Sequence, residues 1–255
     1  MSKTAHPDRS TSQLTESDLL RLVADIDAAL PRVHRYAPAT PIFRLPSLDA
    51  LINGQVMLKA ECAQATGSFK IRGALNVMTQ LSGEGADRVI AFSSGNHGIG
   101  VAYAAQCLGM TATIVVPRDA PEAKIDRIRH LGGHIVLYDR LSEDREQVAS
   151  ALQDKNPAPL VKPYDDWQTI AGQGTCGAEV IVQAPDSIDA AIICTGVERT
   201  TGWATCTVGA LKAWAARQSE SIAKRSSAKR GDRALKLDRR DTRDVALAWQ
   251  KCVAR

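Results

Sequence analysis

Short apolar runs alternate with stretches of helical length along most of this chain, and that alternation limits its fold more than any other feature. Runs at 89–92, 112–116 and 135–138 have strand length and are rich in β-branched residues. Segments at 97–108, 121–131 and 142–153 separate them and read as helices. Further strand runs stand at 56–59, 160–162 and 190–194, and further helices at 17–35, 71–81 and near 167–183. Parallel strands need a crossover between them, usually a helix. The pattern therefore predicts parallel β-α-β units and an α/β fold. In the first helix Leu19, Leu20, Val23, Ile26 and Leu30 share a face, and Thr15, Ser17 or Asp18 can cap its start. Pro38 and Pro41 break the chain after it.

The 255 residues are 44% hydrophobic, enough to bury the core of one or two domains. No internal repeat stands out. Residues 1–13 are polar with no apolar core, which argues against a signal peptide. No run approaches the ~18 apolar residues that a bilayer span needs. Six cysteines lie far apart with no C-x-x-C pair, so free thiols in a reducing cytoplasm, and no metal site, are expected. Cys62 and Cys107 read as buried structural thiols.

The net charge of +4 is uneven. Residues 1–196 carry 18 Lys/Arg against 22 Asp/Glu, while 197–255 carry 14 against 6 and hold three of the four tryptophans. Such a shift marks a boundary. The final segment reads as a frameshift product or foreign tail. A basic nucleic-acid-binding arm is the rival reading, but acidic residues are interspersed and no recognised motif is present.

Chemistry concentrates in two places. Ser93-Ser94-Gly95-Asn96-His97-Gly98 joins a strand run to a helix run, so several backbone N–H groups and a helix dipole converge there. That suits a carboxylate or phosphate. Upstream, Thr66-Gly67-Ser68-Phe69-Lys70 offers a lysine in the first turn of a helix, with Thr66 or Ser68 as its cap. Lys70 is either solvent-facing or partly buried; burial and the dipole would both push it towards a neutral amine able to form a Schiff base. Together the two segments suggest an amino-acid site with a lysine-bound cofactor. His97 either contacts substrate or only satisfies its turn, and Ser94 is a base or only a backbone donor. Gly98 and Gly100 lack the spacing of a dinucleotide fingerprint, which excludes a nicotinamide site.

The blocks Thr40-Pro41-Ile42-Phe43-Arg44-Leu45, Leu58-Lys59-Ala60-Glu61 and Gly67-Ser68-Phe69-Lys70-Ile71-Arg72-Gly73 resemble the opening of serine/threonine dehydratases (threonine ammonia-lyases). These are pyridoxal-phosphate enzymes of the tryptophan-synthase-β fold type. The 93–98 segment resembles their second signature. Val115-Val116-Pro117, Lys124, Gly132-Gly133, and Ile170-Ala171-Gly172-Gln173-Gly174-Thr175 with Glu179 follow in familiar order. The resemblance covers about residues 38–196.

It implies a two-domain fold type II architecture with parallel sheets flanked by helices, C-terminally incomplete. The large domain would take 15–70 and 155–196, and the small domain 71–154. Lys70 would bind pyridoxal 5'-phosphate and then act as base on the α-proton. Phe69 would pack beside the cofactor ring, and Asn96 would hydrogen-bond its phenolic oxygen. Ser93, Asn96 and His97 would hold the substrate carboxylate, and Ser94 matches the opposite-face base of serine racemases. The implied reaction is dehydration and deamination of L-threonine or L-serine to a 2-keto acid and ammonia. Racemisation, elimination from another hydroxyamino acid, or an inactive fragment are the alternatives. The partner would be a small amino acid and the assembly a homo-oligomer. Where the family carries a glycine-rich phosphate loop, this chain reads Thr195-Gly196-Val197-Glu198, so Gly196 alone is expected at the phosphate.

Overall fold

The computed structural model describes residues 15–93, 95–184, 188 and 191. The strand expected at 190–194 lies outside these residues except for Ala191, and the 197–255 segment lies wholly outside them.

Helix α1 (Glu16–His34) begins with a capping box: Thr15 Oγ1 accepts from Asp18 N at 3.2 Å, and Thr15 N donates to Asp18 Oδ2 at 3.0 Å. Its inward face is Leu22, Val23, Ile26, Ala29 and Val33. Leu20, expected on that face, is instead half exposed. A short antiparallel ribbon follows, β1 (Ile42–Arg44) against β2 (Met57–Lys59), with Phe43 opposite Leu58. Helix α2 (Pro46–Ile52) joins them, and Asp49 holds the turn by accepting from Val56 N and Arg44 Nε.

The main sheet is parallel, in the order β3 (Arg88–Phe92), β4 (Thr111–Pro117), β5 (His134–Tyr138). Helices α4 (Asn96–Leu108) and α5 (Glu122–His130) make the crossovers, as the alternation predicts. Residues of β3 alternate between two cores. Val89 and Ala91 face the main core with Ile114 and Val116 of β4 and with α3 (Lys70–Gly83) and α4. Ile90 and Phe92 face the opposite core with Val115, Tyr138 and Ala149 of α6 (Arg145–Lys155). Burial on both faces explains why these strands read as continuous apolar runs.

The strand expected at 160–162 reduces to one parallel bridge between Leu160 and Ile90. Pro159 and Pro163 bracket it, and proline donates no ladder hydrogen bond. Helix α7 (Trp167–Gln183) starts at Asp166, whose side chain accepts from Thr169 N at 2.7 Å. It packs against both α1 and α3. A third core of Leu22, Ile26, Ile170, Ala171 and Ala178 fills the α1–α7 contact.

Helices α3 and α7 meet where side chains are absent. A Cβ on Gly172 would lie 2.6 Å from Arg72 O, 2.7 Å from Asn76 Cβ and 2.8 Å from Gly73 Cα. Backbone cannot yield as a side-chain tip can. Gly172→Ala is therefore expected to cost about 2–3 kcal/mol through overpacking, read as a lowered urea midpoint. Gly83→Ala, at the open end of α3, meets nothing within 4 Å and should not destabilise.

Candidate active site

Lys70 is the first residue of α3. The chain reaches it through Gly67, whose φ of +73° suits a glycine and whose N–H bonds Gln64 O at 2.7 Å. Neither expected cap is used. Phe69 holds the cap position without a side-chain bond, and Ser68 Oγ is buried without a partner among the described residues. The Lys70 amine donates to Pro163 O at 2.9 Å and lies 5.3 Å from the centre of the Phe69 ring. Burial lowers its pKa to about 8. Roughly a tenth of it is then neutral at pH 7, far more than for an ordinary lysine.

The 93–98 turn sits where β3 hands over to α4. Ser93 N donates to Val115 O at 2.9 Å, and Ser93 Oγ accepts from Gly95 N at 3.0 Å. Asn96 opens α4 and is exposed. The Lys124 side chain of α5 crosses Gly95, where a Cβ would stand 2.8 Å from its Nζ. His97 is buried; its Nε2 donates to Val161 O at 3.0 Å, and its Nδ1 has no partner among the described residues. Burial lowers the His97 pKa to about 4; the Val161 bond opposes this and the Lys70 charge adds to it. The ring is therefore neutral and carries its proton on Nε2.

Gly100 brings the two segments together. A Cβ there would be 3.3 Å from Ile71 N and Cα, so the first turns of α3 and α4 touch through backbone. Lys70, Phe69 and His97 thus share one corner, with Ser93 and Asn96 on the turn that carries His97. Ser94 and Gly196 lie outside the described residues.

A buried ionic cluster behind this corner has no counterpart in the roles read from sequence. Arg72 is fully buried and forks onto Glu61 (Nε–Oε2 2.7 Å, Nη2–Oε1 2.8 Å) and Glu179 (Nη1–Oε1 2.5 Å, Nη2–Oε2 2.9 Å). Glu179 also accepts from Lys59 Nζ at 2.5 Å and bonds His34 Nε2 at 2.7 Å. Burial works against the Arg72 charge, but Glu61 and Glu179 outweigh it and hold the guanidinium above its ordinary range. Burial likewise opposes ionisation of Glu179, yet Arg72, Lys59 and His34 hold its carboxyl down at about 2. The signal was present in the sequence. Lys59, Glu61, Arg72 and Glu179 are charges embedded in apolar or glycine-rich blocks. Burial raises the nearby Cys176 thiol to about 12, with the Glu61 charge adding, so it is no nucleophile at neutral pH. Cys62, expected to be buried, is exposed, and Cys107 is partly buried. Among the described residues no group of three or more His, Cys, Asp or Glu is placed to hold a metal.

Two outcomes follow from these charges. Glu179→Ala leaves Arg72 short of a partner and should cost about 3–5 kcal/mol, seen as a fall in the denaturation midpoint at neutral pH. The folded pKa values of His97 and Glu179 both lie below their ordinary 6.5 and 4.5. The unfolded chain is then the stronger proton binder in acid. Their stabilisation is full above pH 6.5; that of His97 is lost between 6.5 and about 4, and that of Glu179 between 4.5 and about 2. Urea titrations between pH 7 and 3 would measure the decline.

A depressed lysine amine beside an aromatic ring, with the orphaned polar atoms Ser68 Oγ and His97 Nδ1, fits an aldehyde-bearing cofactor that supplies its own polar groups. Comparison with known proteins agrees. The chain is 44% identical over 160 residues to an L-threo-3-hydroxyaspartate ammonia-lyase of Pseudomonas sp, covering 62% of this chain and 50% of that protein. It is 41% identical over 172 residues to a serine racemase of Oryza sativa subsp. indica, covering 67% and 50%. The processed form of threonine deaminase isoform 2 from Solanum lycopersicum has a similar structure, with TM-score 0.71 and 35% identity over 80% of this chain and 58% of that one. The chain spans about half the length of the curated relatives it matches. The family description "Pyridoxal-phosphate dependent enzyme" matches residues 34–216, past Gly196 and short of the end of the basic segment. With more than half of its residues so matched, this chain belongs to the pyridoxal-phosphate dependent enzyme family.

Proposed function

We propose that this chain carries the lysine half of a lyase that eliminates water from L-threonine or L-serine and, as water re-enters to hydrolyse the resulting imine, releases ammonia and a 2-keto acid. The observation that carries this reading is the Lys70 amine, partly buried, lowered to about 8 and set beside Phe69. Bound to Lys70, pyridoxal phosphate would supply the electron sink that makes the α-proton of an amino acid removable. Lys70 then has the basicity to take that proton near neutral pH. The Asn96 and His97 N–H groups in the first turn of α4, with the Ser93 and Asn96 side chains, offer donors to the substrate carboxylate. Phe69 gives an apolar wall, Gly196 would lie at the cofactor phosphate, and Ser94 would stand on the opposite face. The same reading divides the chain into a small domain at 71–154 and part of a large domain at 15–70 and 155–196. A homo-oligomer in the cytoplasm belongs to it as well. Among the described residues no helix is long and apolar enough to cross a membrane.

A second reading is favoured by the relatives: their names span hydroxyaspartate ammonia-lyase, serine racemase and threonine dehydratase at similar identity. Substrate choice rests on pocket shape rather than on the lysine. One experiment separates the readings. Protein loaded with pyridoxal phosphate and dialysed should keep a visible absorbance band that Lys70→Ala lacks. The loaded protein is then offered L-threonine, L-serine and L-threo-3-hydroxyaspartate, with keto acid, ammonia and D-serine measured. Keto acid from the first two supports the dehydratase. D-serine or a hydroxyaspartate preference moves the assignment to the second reading, and no retained band rejects both. Lys70→Ala should lower any turnover by at least about a thousandfold. Only the neutral amine attacks an aldehyde, so the rate of cofactor capture should rise with pH and level off above about 8.

A further inference from the structure

Three successive carbonyls between α6 and α7 each accept a side-chain donor from a different helix. Val161 O takes His97 Nε2 of α4 at 3.0 Å, Lys162 O takes Thr169 Oγ1 of α7 at 3.0 Å, and Pro163 O takes Lys70 Nζ of α3 at 2.9 Å. The sheet edge holds the same segment: Ile90 N donates to Pro159 O at 2.9 Å and Val161 N to Ile90 O at 2.8 Å. Beyond it, Arg145 bonds the Tyr164 hydroxyl, and Asp165 adopts a φ of 51° in the left-handed region that few non-glycine residues enter. Val161 and Pro163 are buried, while the Lys162 side chain is exposed. The fold therefore uses the Lys162 carbonyl, not its charge. A stretch that makes only one strand bridge is pinned at every residue.

We propose that residues 161–163 form a strap that sets the place of the Lys70 amine, and that His97 and Thr169 are positioning residues acting through it. A lysine amine swings on four rotatable bonds, and a group that attacks or abstracts must stand within a fraction of an ångström of its target. Pro163 O is an acceptor that the amine reaches, at 2.9 Å. Proline fixes its own φ, which leaves ψ as the one free backbone torsion between the Lys162 anchor and that carbonyl. His97 and Thr169 anchor Val161 and Lys162. This assigns His97 a task different from contact with a carboxylate: its one N–H is already given to Val161. The functional meaning of the strap rests on Lys70 being the reactive amine, but its geometry does not.

The test uses the full chain without cofactor. Lysines are labelled with an amine-reactive reagent across a pH series and read peptide by peptide by mass spectrometry. Pro163 O bonds the charged amine and so favours it; displacing that carbonyl lowers the Lys70 midpoint. His97, the titratable neighbour on α4, is neutral throughout that range. Thr169→Val should move the midpoint down by about half a unit or more, Thr169→Ser should restore it, and Lys124 should not change. A folded Thr169→Val with an unmoved Lys70 midpoint overturns the proposal, even if its melting temperature falls. Should Thr169→Val not fold, Lys70→Met reads the same coupling in reverse. Its loss of the Pro163 bond should speed amide hydrogen exchange at Val161, Lys162 and Tyr164 by about fivefold or more. Unchanged exchange there would equally overturn the strap. Neither readout involves turnover, so a failed dehydratase assay and a failed strap are separate results.

Discussion

A guanidinium sealed from water and clasped by two carboxylates is the constraint on which this arrangement hangs. Arg72 draws together three pieces of chain that sequence order keeps apart: the turn at Glu61, the first turn of α3, and the third and fourth turns of α7 at Thr175 and Glu179. Lys59 and His34 close on Glu179 from β2 and α1. Thr40, in the loop after α1, joins by donating its hydroxyl to Glu61 at 2.6 Å and accepting from Lys59 Nζ on its carbonyl at 2.7 Å. Burying so many charges costs desolvation that ion pairing alone rarely offsets, so such a cluster is weak ground for added stability. Its consequence is definition. A register slip in α3 or α7 would leave one charge unpaired in the interior, and the alternative packings are penalised for it.

Lys70 and Arg72 show how two cations on one helix turn acquire opposite characters. They are two residues apart, so they point to opposite sides of α3. Arg72 faces two carboxylates, and its charge is reinforced. Lys70 lies against a carbonyl, a phenyl ring and a neutral imidazole, and burial pushes its pKa down. A helix N-terminus is also the wrong end for a cation. The same short helix start therefore holds one permanently charged anchor and one amine poised to lose its proton. The glycines make this placement attainable: Gly73 against Gly172, and Gly100 against Ile71, let three helices approach at backbone distance.

Much of this is legible in the amino-acid sequence. The continuous apolar runs of the strands follow from burial on both faces of a parallel sheet, and the strands and the helices between them appear close to their expected bounds. What escaped was set by tertiary contact rather than local pattern. Strand β1 is three residues flanked by prolines, too short for any periodicity to show. Leu20 fits a helical stripe, but α7 covers α1 from the side of Leu22 and Ile26. The run at 160–162 has strand composition, yet its prolines leave one bridge and turn its carbonyls to side chains. The ionic cluster was visible only as unexplained charges, because charge pairing between residues more than a hundred positions apart leaves no local trace.

The state of His97 bears on how a carboxylate could be held at the 93–97 turn. A neutral imidazole whose single N–H is committed elsewhere brings no charge to an anion. The turn does not need it. Backbone N–H groups at the head of α4 carry partial positive charge that no pH change removes. Lys124, whose ammonium crosses Gly95, stands at the same loop from α5. On the proposed function, the anion site would then be made of backbone and a peripheral cation, and would keep its strength across the pH range in which Lys70 gains and loses its proton. Separating the two tasks has a physical advantage. A histidine charged at the turn would repel a protonated Lys70 and couple carboxylate binding to the proton on the amine. Buried and neutral, His97 leaves them independent and acts through the strap instead.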